Sequence, residues 1–161
     1  MTLKLRFGVN DIPYGTAYQT VARKRAGKPP SAAMSRVTTG DVADFIERRY
    51  HLMERYCEMR RDFIGQVLAE AMRSKVEALH MGRGPQPGPL LGTTDLADIA
   101  EDFRRTLDDR GFDGLVTGVP TAAAQAGVNH RLLHPYAKSN PPRPSFIDTG
   151  LYQANMRVWV D

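Results

Sequence analysis

Hydrophobic residues recur at helical spacing through one long stretch, from Asp41 to His80. Steps of three and four residues, or their sums, place such residues on one face of an α-helix. The stretch contains no proline, and Gly65 is its only glycine. We therefore predict a long amphipathic helix over residues 41–81. Its apolar face combines a main row, Ile46, Tyr50, Met53, Cys57, Ile64, Leu68, Met72 and Leu79, with a second row, Phe45, Leu52, Tyr56, Met59, Phe63 and Val67.

The ends of this predicted helix have recognisable signals. Thr38 followed by Asp41 has the spacing of a capping box, and Gly82 followed by Pro85 is typical of a helix end. A continuous helix of this length would measure roughly 60 Å, whereas a compact domain of this size is roughly 40 Å across. We expect the helix either to break at Gly65 and pack in its own core, or to project and share its apolar face with neighbouring copies.

A second, shorter helix is predicted after Thr93-Thr94-Asp95, which we expect to cap it. Its narrow apolar stripe makes Phe103 a predicted core residue. Gly111 is expected to supply the left-handed residue at the C-terminal end. The stripe consists of Leu96, Ile99, Phe103 and Leu107.

Alternating patterns predict a strand near each end of the chain. Residues 3–9 form the first, with a basic outer face, and residues 151–160 form a helical turn followed by the second. Tyr152, Met156, Val158 and Val160 project to one side of the second strand, which we expect to pack on the chain's own helix. Arg157 and Trp159 project to the other side and are a predicted assembly interface, because terminal strands can be extended by a neighbour and tryptophan is enriched at hot spots.

These patterns together predict an α+β fold: one long amphipathic helix and a second shorter helix packed on a small antiparallel sheet, with extended loops and a basic N-terminal arm. With 161 residues, the chain is expected to form a single domain, 1–161. Its predicted parts are the strand and arm 1–40, the long helix 41–81, a Pro/Gly loop 82–92, and the second helix with the C-terminal strand, 93–161.

The net charge of +4 is unevenly distributed. Residues 1–40 have seven Lys and Arg residues against one acid, whereas residues 82–118 have seven acids against four bases. A basic arm beside an acidic body can bind nucleic acid or the acidic surface of another copy. The candidate contacts in the arm are Arg23, Lys24, Arg25 and Lys28.

The single cysteine, Cys57, excludes an intramolecular disulfide and is expected to act as a small core hydrophobe. No apolar run is long enough to span a bilayer, and the polar N-terminus lacks the apolar region of a signal peptide. We therefore expect a protein that is made in a cytoplasm, or assembled from one, without a membrane partner.

Few residues point to catalysis. His130 and His134 have metal-ligand spacing only if they lie on a helix, so surface or hydrogen-bonding roles are favoured. Asp148-Thr149-Gly150 matches the short aspartic-protease signature, but that chemistry needs two carboxylates and a nearly all-β chain. We interpret Asp148 as an Asx-turn or N-cap residue and Gly150 as a source of backbone freedom. We expect no enzymatic activity, no cofactor and no metal site.

The segment from Arg143 to Val160, with its Asp148-Thr149-Gly150 turn, resembles a recurring pattern in proteins of tailed bacteriophages. The resemblance is to the tail-completion and neck proteins, which join the tail to the head–connector complex, and the stretch from Ala123 to His130 agrees with it. It implies a ring, usually sixfold or twelvefold, around the channel through which DNA leaves. It also implies that the partners are other neck, connector and tail proteins.

The expected function is accordingly that of a structural virion protein in the neck or tail region, assembled in the host cytoplasm. Contact with the DNA in the channel would be non-specific. The alternative is a small basic nucleic-acid-binding accessory protein that uses Arg23, Lys24, Arg25 and Lys28.

Overall fold

A computed structural model of the chain describes residues 4–13, 37–84 and 91–160. These residues form six helices and a small antiparallel sheet of two strands, which is the predicted α+β class. The strands are β1 (Leu5–Val9) and β2 (Met156–Val160), and the helices are α1 (Thr39–Tyr50), α2 (Leu52–Met59), α3 (Arg61–His80), α4 (Ala97–Asp108), α5 (Ala122–Gln125) and α6 (Leu151–Ala154).

The sheet joins the two ends of the chain. β1 and β2 pair in antiparallel register from Leu5 opposite Val160 to Val9 opposite Met156. Because side chains alternate along a strand, Met156, Val158 and Val160 are buried, which confirms the predicted inner side of β2. Leu91 adds an isolated bridge to Val160, whose N–H donates to the Leu91 carbonyl at 3.0 Å. Since Val160 already faces Leu5, this bridge lies on the other edge of β2.

The predicted long helix is corrected by the structure, which divides it into α1, α2 and α3. The chain turns at His51, which has a left-handed φ of 52°, and again at Arg60, with a φ of −106°. Gly65 lies inside α3, so the predicted position of the break is wrong. A Cβ added at Gly65 would meet nothing within 4 Å, and the glycine therefore costs only its weak helix propensity, about 1 kcal/mol.

Glu47 explains why the chain can turn at His51. Its carboxylate accepts hydrogen bonds from the backbone N–H groups of Met53 at 2.9 Å and Glu54 at 3.3 Å. These N–H groups belong to the first turn of α2, where no helical carbonyl is available to them. A side chain of α1 thus satisfies the start of the next helix. The start of α1 is the predicted capping box: Thr38 Oγ1 accepts from Asp41 N–H at 3.2 Å, and Asp41 Oδ2 accepts from Thr38 N–H at 2.9 Å.

Phe103 of α4 lies at the centre of an aromatic core. It is fully buried, with ring centroids 5.1 Å from Tyr56, 6.1 Å from Phe112 and 6.5 Å from Tyr152. The Tyr56 hydroxyl lies 3.0 Å from Asp102 Oδ2, and burial together with this carboxylate raises the pKa of Tyr56. The predicted stripe is confirmed as buried: Leu96, Ile99, Phe103 and Leu107.

Both predicted end signals of α4 are corrected. Asp95 does not cap the helix, because its carboxylate accepts from Gly92 N–H at 2.9 Å and pairs with Lys75 Nζ at 2.9 Å. At the other end, the left-handed residue is Arg110, with a φ of 58°, rather than Gly111. A Cβ at Gly111 would lie 2.7 Å from Thr106 Cγ2, so this glycine serves a close approach to the helix.

Cys57 is half-buried and packs against the core, as predicted. Burial, with a smaller contribution from Glu47, raises the pKa of its thiol to about 11, which disfavours the reactive thiolate. No helix within residues 4–13, 37–84 and 91–160 has both the length and the hydrophobicity needed to cross a membrane.

Candidate assembly surfaces

Trp159 lies on the outer face of β2, the face opposite the buried Val158 and Val160. Its strand position pairs with Arg6, and its ring covers the neighbouring Gly8. A Cβ at Gly8 would lie 3.1 Å from Trp159 Cη2, so the glycine lets the indole pack flat on the sheet. The indole is half-buried and Arg157, two residues earlier, is exposed. The outer face of this terminal strand therefore presents an aromatic ring and a cation together.

An open groove runs beside this tryptophan, with a volume of about 550 Å³. We call it the Trp159 groove. Asp95 forms part of it, and burial alone would raise the pKa of this carboxyl. The hydrogen bonds from Lys75 and Gly92 outweigh burial and lower that pKa, which favours the ionised carboxylate. The groove is therefore lined by both an anion, Asp95, and a cation, Arg157. Its lining comprises Val9, Asn10, Gly92, Thr93, Thr94, Asp95, Arg157 and Trp159.

The backbone edge of β2 is partly occupied within the chain. Val160 N–H donates a hydrogen bond to the Leu91 carbonyl, and the Met156 carbonyl accepts one from Arg104 Nη2 at 3.1 Å. The sequence suggested that a neighbour would extend this strand through its backbone. That extension stays a prediction, since among the described residues only these two backbone groups of the edge are engaged within the chain.

The Asp148 carboxylate lies in a network that the sequence did not indicate. Asp148 Oδ1 accepts from His130 N–H at 2.8 Å, and Oδ2 lies 2.5 Å from His130 Nδ1. The other ring nitrogen, Nε2, lies 3.0 Å from the Tyr136 hydroxyl. Arg143 Nη2 lies 3.8 Å from Oδ1. Asp148 thus holds a loop that lies 18 residues earlier in the chain.

The predicted role of Asp148 as a cap or turn residue is therefore wrong, whereas that of Gly150 is confirmed. Gly150 precedes α6 with a φ of 79°, and α6 has no side-chain cap. A Cβ at Gly150 would lie 2.0 Å from Arg131 Nη2, so both the backbone angle and the close approach favour glycine. Thr149 Oγ1 accepts from Leu151 N–H at 3.3 Å and completes the turn.

Residues 128–143, which we call the basic loop, are held in place without helix or strand. Asn129 N–H donates to the Pro135 carbonyl at 3.0 Å, and Asn140 Nδ2 donates to the His134 and Pro135 carbonyls at 2.9 and 3.1 Å. Arg143 closes the loop, because its guanidinium donates to the Val128 carbonyl and, at 3.0 Å, to the Pro144 carbonyl. Burial lowers the pKa of Arg143, and Asp148 opposes this effect.

The conformation of the basic loop bears on the predicted spacing of its two histidines. His130 and His134 lie in this non-helical loop, so the helical spacing that a metal site would need is not formed. In the described ranges, no group of three or more His, Cys, Asp or Glu side chains is placed to hold a metal ion. His130 instead has the hydrogen-bonding role that the sequence favoured.

The predicted contacts of the arm, Arg23, Lys24, Arg25 and Lys28, lie outside the described residues. The structure describes the chain up to Pro13 and again from Val37, and Pro13 forms an antiparallel bridge with Thr38. Pro13 and Thr38 therefore lie side by side at the start of α1.

Comparisons with protein-family models, with curated proteins and with solved structures found no match for this chain. The fold defines a mixed α+β protein whose two-stranded antiparallel sheet joins the ends of the chain.

Proposed function

We propose that the chain is a structural virion protein, a ring-forming tail-completion or neck subunit that joins a bacteriophage tail to the head–connector complex. The proposal starts from the resemblance of the segment Arg143–Val160 to the tail-completion and neck proteins of tailed bacteriophages. It is supported by one observation: the inner side of β2 is buried in the core, while Arg157 and Trp159 remain on its outer face. A large aromatic side chain beside an open groove is the kind of anchor on which interfaces depend.

A closed ring requires two different surfaces on each subunit, since its contacts are head-to-tail. The Trp159 groove would serve as a surface toward the tail or connector proteins. The C-terminal end of α3 is a candidate for a second surface, because Val76 and Leu79 are exposed in its last turns and Met81 is exposed just after it. The ring would be sixfold or twelvefold, in the neck or tail region of the virion, assembled in the host cytoplasm.

The Trp159→Ala variant tests the role of the outer face. We expect it to fold but to join heads to tails poorly, because truncation of a tryptophan at an interface often costs about 2 kcal/mol or more of binding energy. Circular dichroism and thermal melting report the fold, and complementation of head–tail joining reports assembly.

Val158→Ala is the matched control, since Val158 is the adjacent residue of β2 and is fully buried. Its assembly defect should not exceed what its loss of stability explains, whereas the defect of Trp159→Ala should. If the Trp159→Ala variant unfolds, Trp159 is a core residue. If the variant folds and joins heads to tails normally, the outer face of β2 is not part of the interface.

A second candidate function is a small basic nucleic-acid-binding accessory protein. The observation that favours it is the composition of residues 14–36, which have five Lys and Arg residues and no acid. Since the whole chain has 22 basic and 18 acidic residues, the other residues have 17 basic and 18 acidic ones, a net charge of −1. A monomeric mass with DNA affinity that falls steeply with salt would favour this candidate.

A further inference from the structure

We infer that the basic loop of one copy docks into an acidic groove beside α3 of the next copy. This inference rests on the proposed ring and identifies the contact between its subunits. Its two halves are the exposed tip of the basic loop and a groove between α3 and the start of α4, which we call the α3 groove.

The tip of the basic loop is apolar and exposed, and hydrogen bonds hold the rest of the loop in place. Leu133 is 69% exposed and Tyr136 is 73% exposed, although leucine is usually buried and tyrosine is usually at least partly buried. The hydrogen bonds of Asn140, Arg143 and Asp148 hold the loop beneath them. A loop that is already ordered loses little conformational entropy on binding, so its apolar tip is suited to act as an anchor.

The α3 groove offers an apolar floor with an acidic rim. Its volume is about 480 Å³, within the range of about 300–1,000 Å³ that is typical of binding pockets. Lys75 and Arg73 lie near this rim, paired with Asp95 at 2.9 Å and Glu70 at 3.4 Å. The floor is formed by Phe63, Val67 and Ala71, and the rim by Gln66, Glu70, Ser74, Asp95 and Asp98.

The charges of the two surfaces are complementary. The sequence from Val128 to Ile147 contains no acid, and Arg131 and Lys138, which flank the apolar tip in the sequence, are exposed. Glu70 and Asp98 are exposed on the groove rim, where three acids, Glu70, Asp95 and Asp98, outnumber the paired cations Arg73 and Lys75 by one. Opposite charges around an apolar contact set its orientation and suppress wrong partners. The tip and the groove therefore match in both polarity and charge.

The two surfaces lie at opposite ends of α4, which indicates a second copy as the occupant. The basic loop is tied to the C-terminal end, where Arg110 Nη2 donates to the Pro142 carbonyl at 2.9 Å. Asp98 lies in the first turn of the same helix. Twelve helical residues span about 18 Å at about 1.5 Å per residue, so the point where the loop is anchored lies well away from the groove of the same chain, and we expect a neighbouring copy to supply the loop. Such a contact is head-to-tail and is the kind that closes a ring.

A mixing experiment tests this docking with two defective variants. Leu133→Asp places a charge at the loop tip, and Val67→Asp places one on the groove floor. Each variant alone should lose the ring and give the 17.9 kDa mass of the single chain in native mass spectrometry. An equal mixture should give a species of twice that mass, because one intact loop can still enter one intact groove, and nothing larger.

Asp98→Lys is a second groove variant that leaves the floor unchanged, in case Val67→Asp does not fold. Leu115→Asp is the control, since Leu115 is 60% exposed but belongs to neither surface, and it should keep the ring. If the wild-type chain forms rings and the loop and groove variants do too, or if the mixture gives no dimer, the docking is refuted while the ring remains. If the wild-type chain forms no ring at all, the proposed function fails and the docking fails with it.

Discussion

At the scale of single residues, Phe103 connects three parts of the aromatic core. Its ring contacts those of Tyr56 from α2, Phe112 and Tyr152 from α6, so one side chain joins three parts of the chain. The helical period alone was sufficient to predict its burial. The role of Asp148 was not predictable, because its partner His130 is 18 residues away and only the folded loop brings the two together.

The Phe103→Ala variant should lower the free energy of unfolding by roughly 3–5 kcal/mol, because it removes buried surface and leaves a cavity that the rings cannot fully close. Urea or thermal unfolding measures the loss. Phe45→Ala is the matched control, since Phe45 is 66% exposed, and its effect should be within about 0.5 kcal/mol. An unchanged midpoint for Phe103→Ala would contradict the core described here.

At the scale of elements, the sequence predicted helix and strand better than it predicted where helices end. Apart from Thr39 and Gly40, the residues of α1, α2 and α3 lie in the predicted long helix, and β2 follows the predicted turn. The turn at His51 was missed because Glu47, four residues earlier, caps the next helix with its side chain. The start of α4 was misassigned because Asp95 forms an ion pair with Lys75, twenty residues away in the sequence, and does not cap the helix.

The pair of Asp95 and Lys75 ties the start of α4 to α3, and its contribution should depend on pH. The folded-state pKa of Asp95 is lowered from 3.8, so the pair stabilises the fold above that value and the contribution is lost as pH falls through the lowered pKa. Because both side chains are partly exposed, we expect Asp95→Asn to cost no more than about 1 kcal/mol at pH 7.

Urea unfolding of the wild type and of Asp95→Asn at pH 7 and at pH 3 measures this dependence. The gap in free energy should shrink on acidification, because the contribution of the lowered folded-state pKa is complete above 3.8 and declines as pH falls toward that lowered pKa. Asp44→Asn is a control, since Asp44 pairs with Arg48 on the exposed face of α1. A gap for Asp95→Asn that is equal at both pH values would show that the interaction with Lys75 is not ionic.

At the scale of the whole molecule, the described residues present several surfaces that their own fold leaves exposed. They are the outer face of β2, the tip of the basic loop, and the apolar residues at the end of α3. The sequence predicted the first from strand alternation and expected shared contacts along the long helix. It did not predict the loop tip, because nothing in the Pro-rich stretch indicates that Asn140, Arg143 and Asp148 hold it in place.

The central claim is that copies of this chain assemble into a closed ring. Native mass spectrometry of the purified chain, over a range of protein and salt concentrations, tests it most directly. We predict one dominant species of six or twelve chains, a defined multiple of 17.9 kDa, because head-to-tail contacts close at a fixed number. A mass of 17.9 kDa at every concentration, accompanied by DNA binding that weakens steeply with salt, would contradict the ring and favour the nucleic-acid-binding protein.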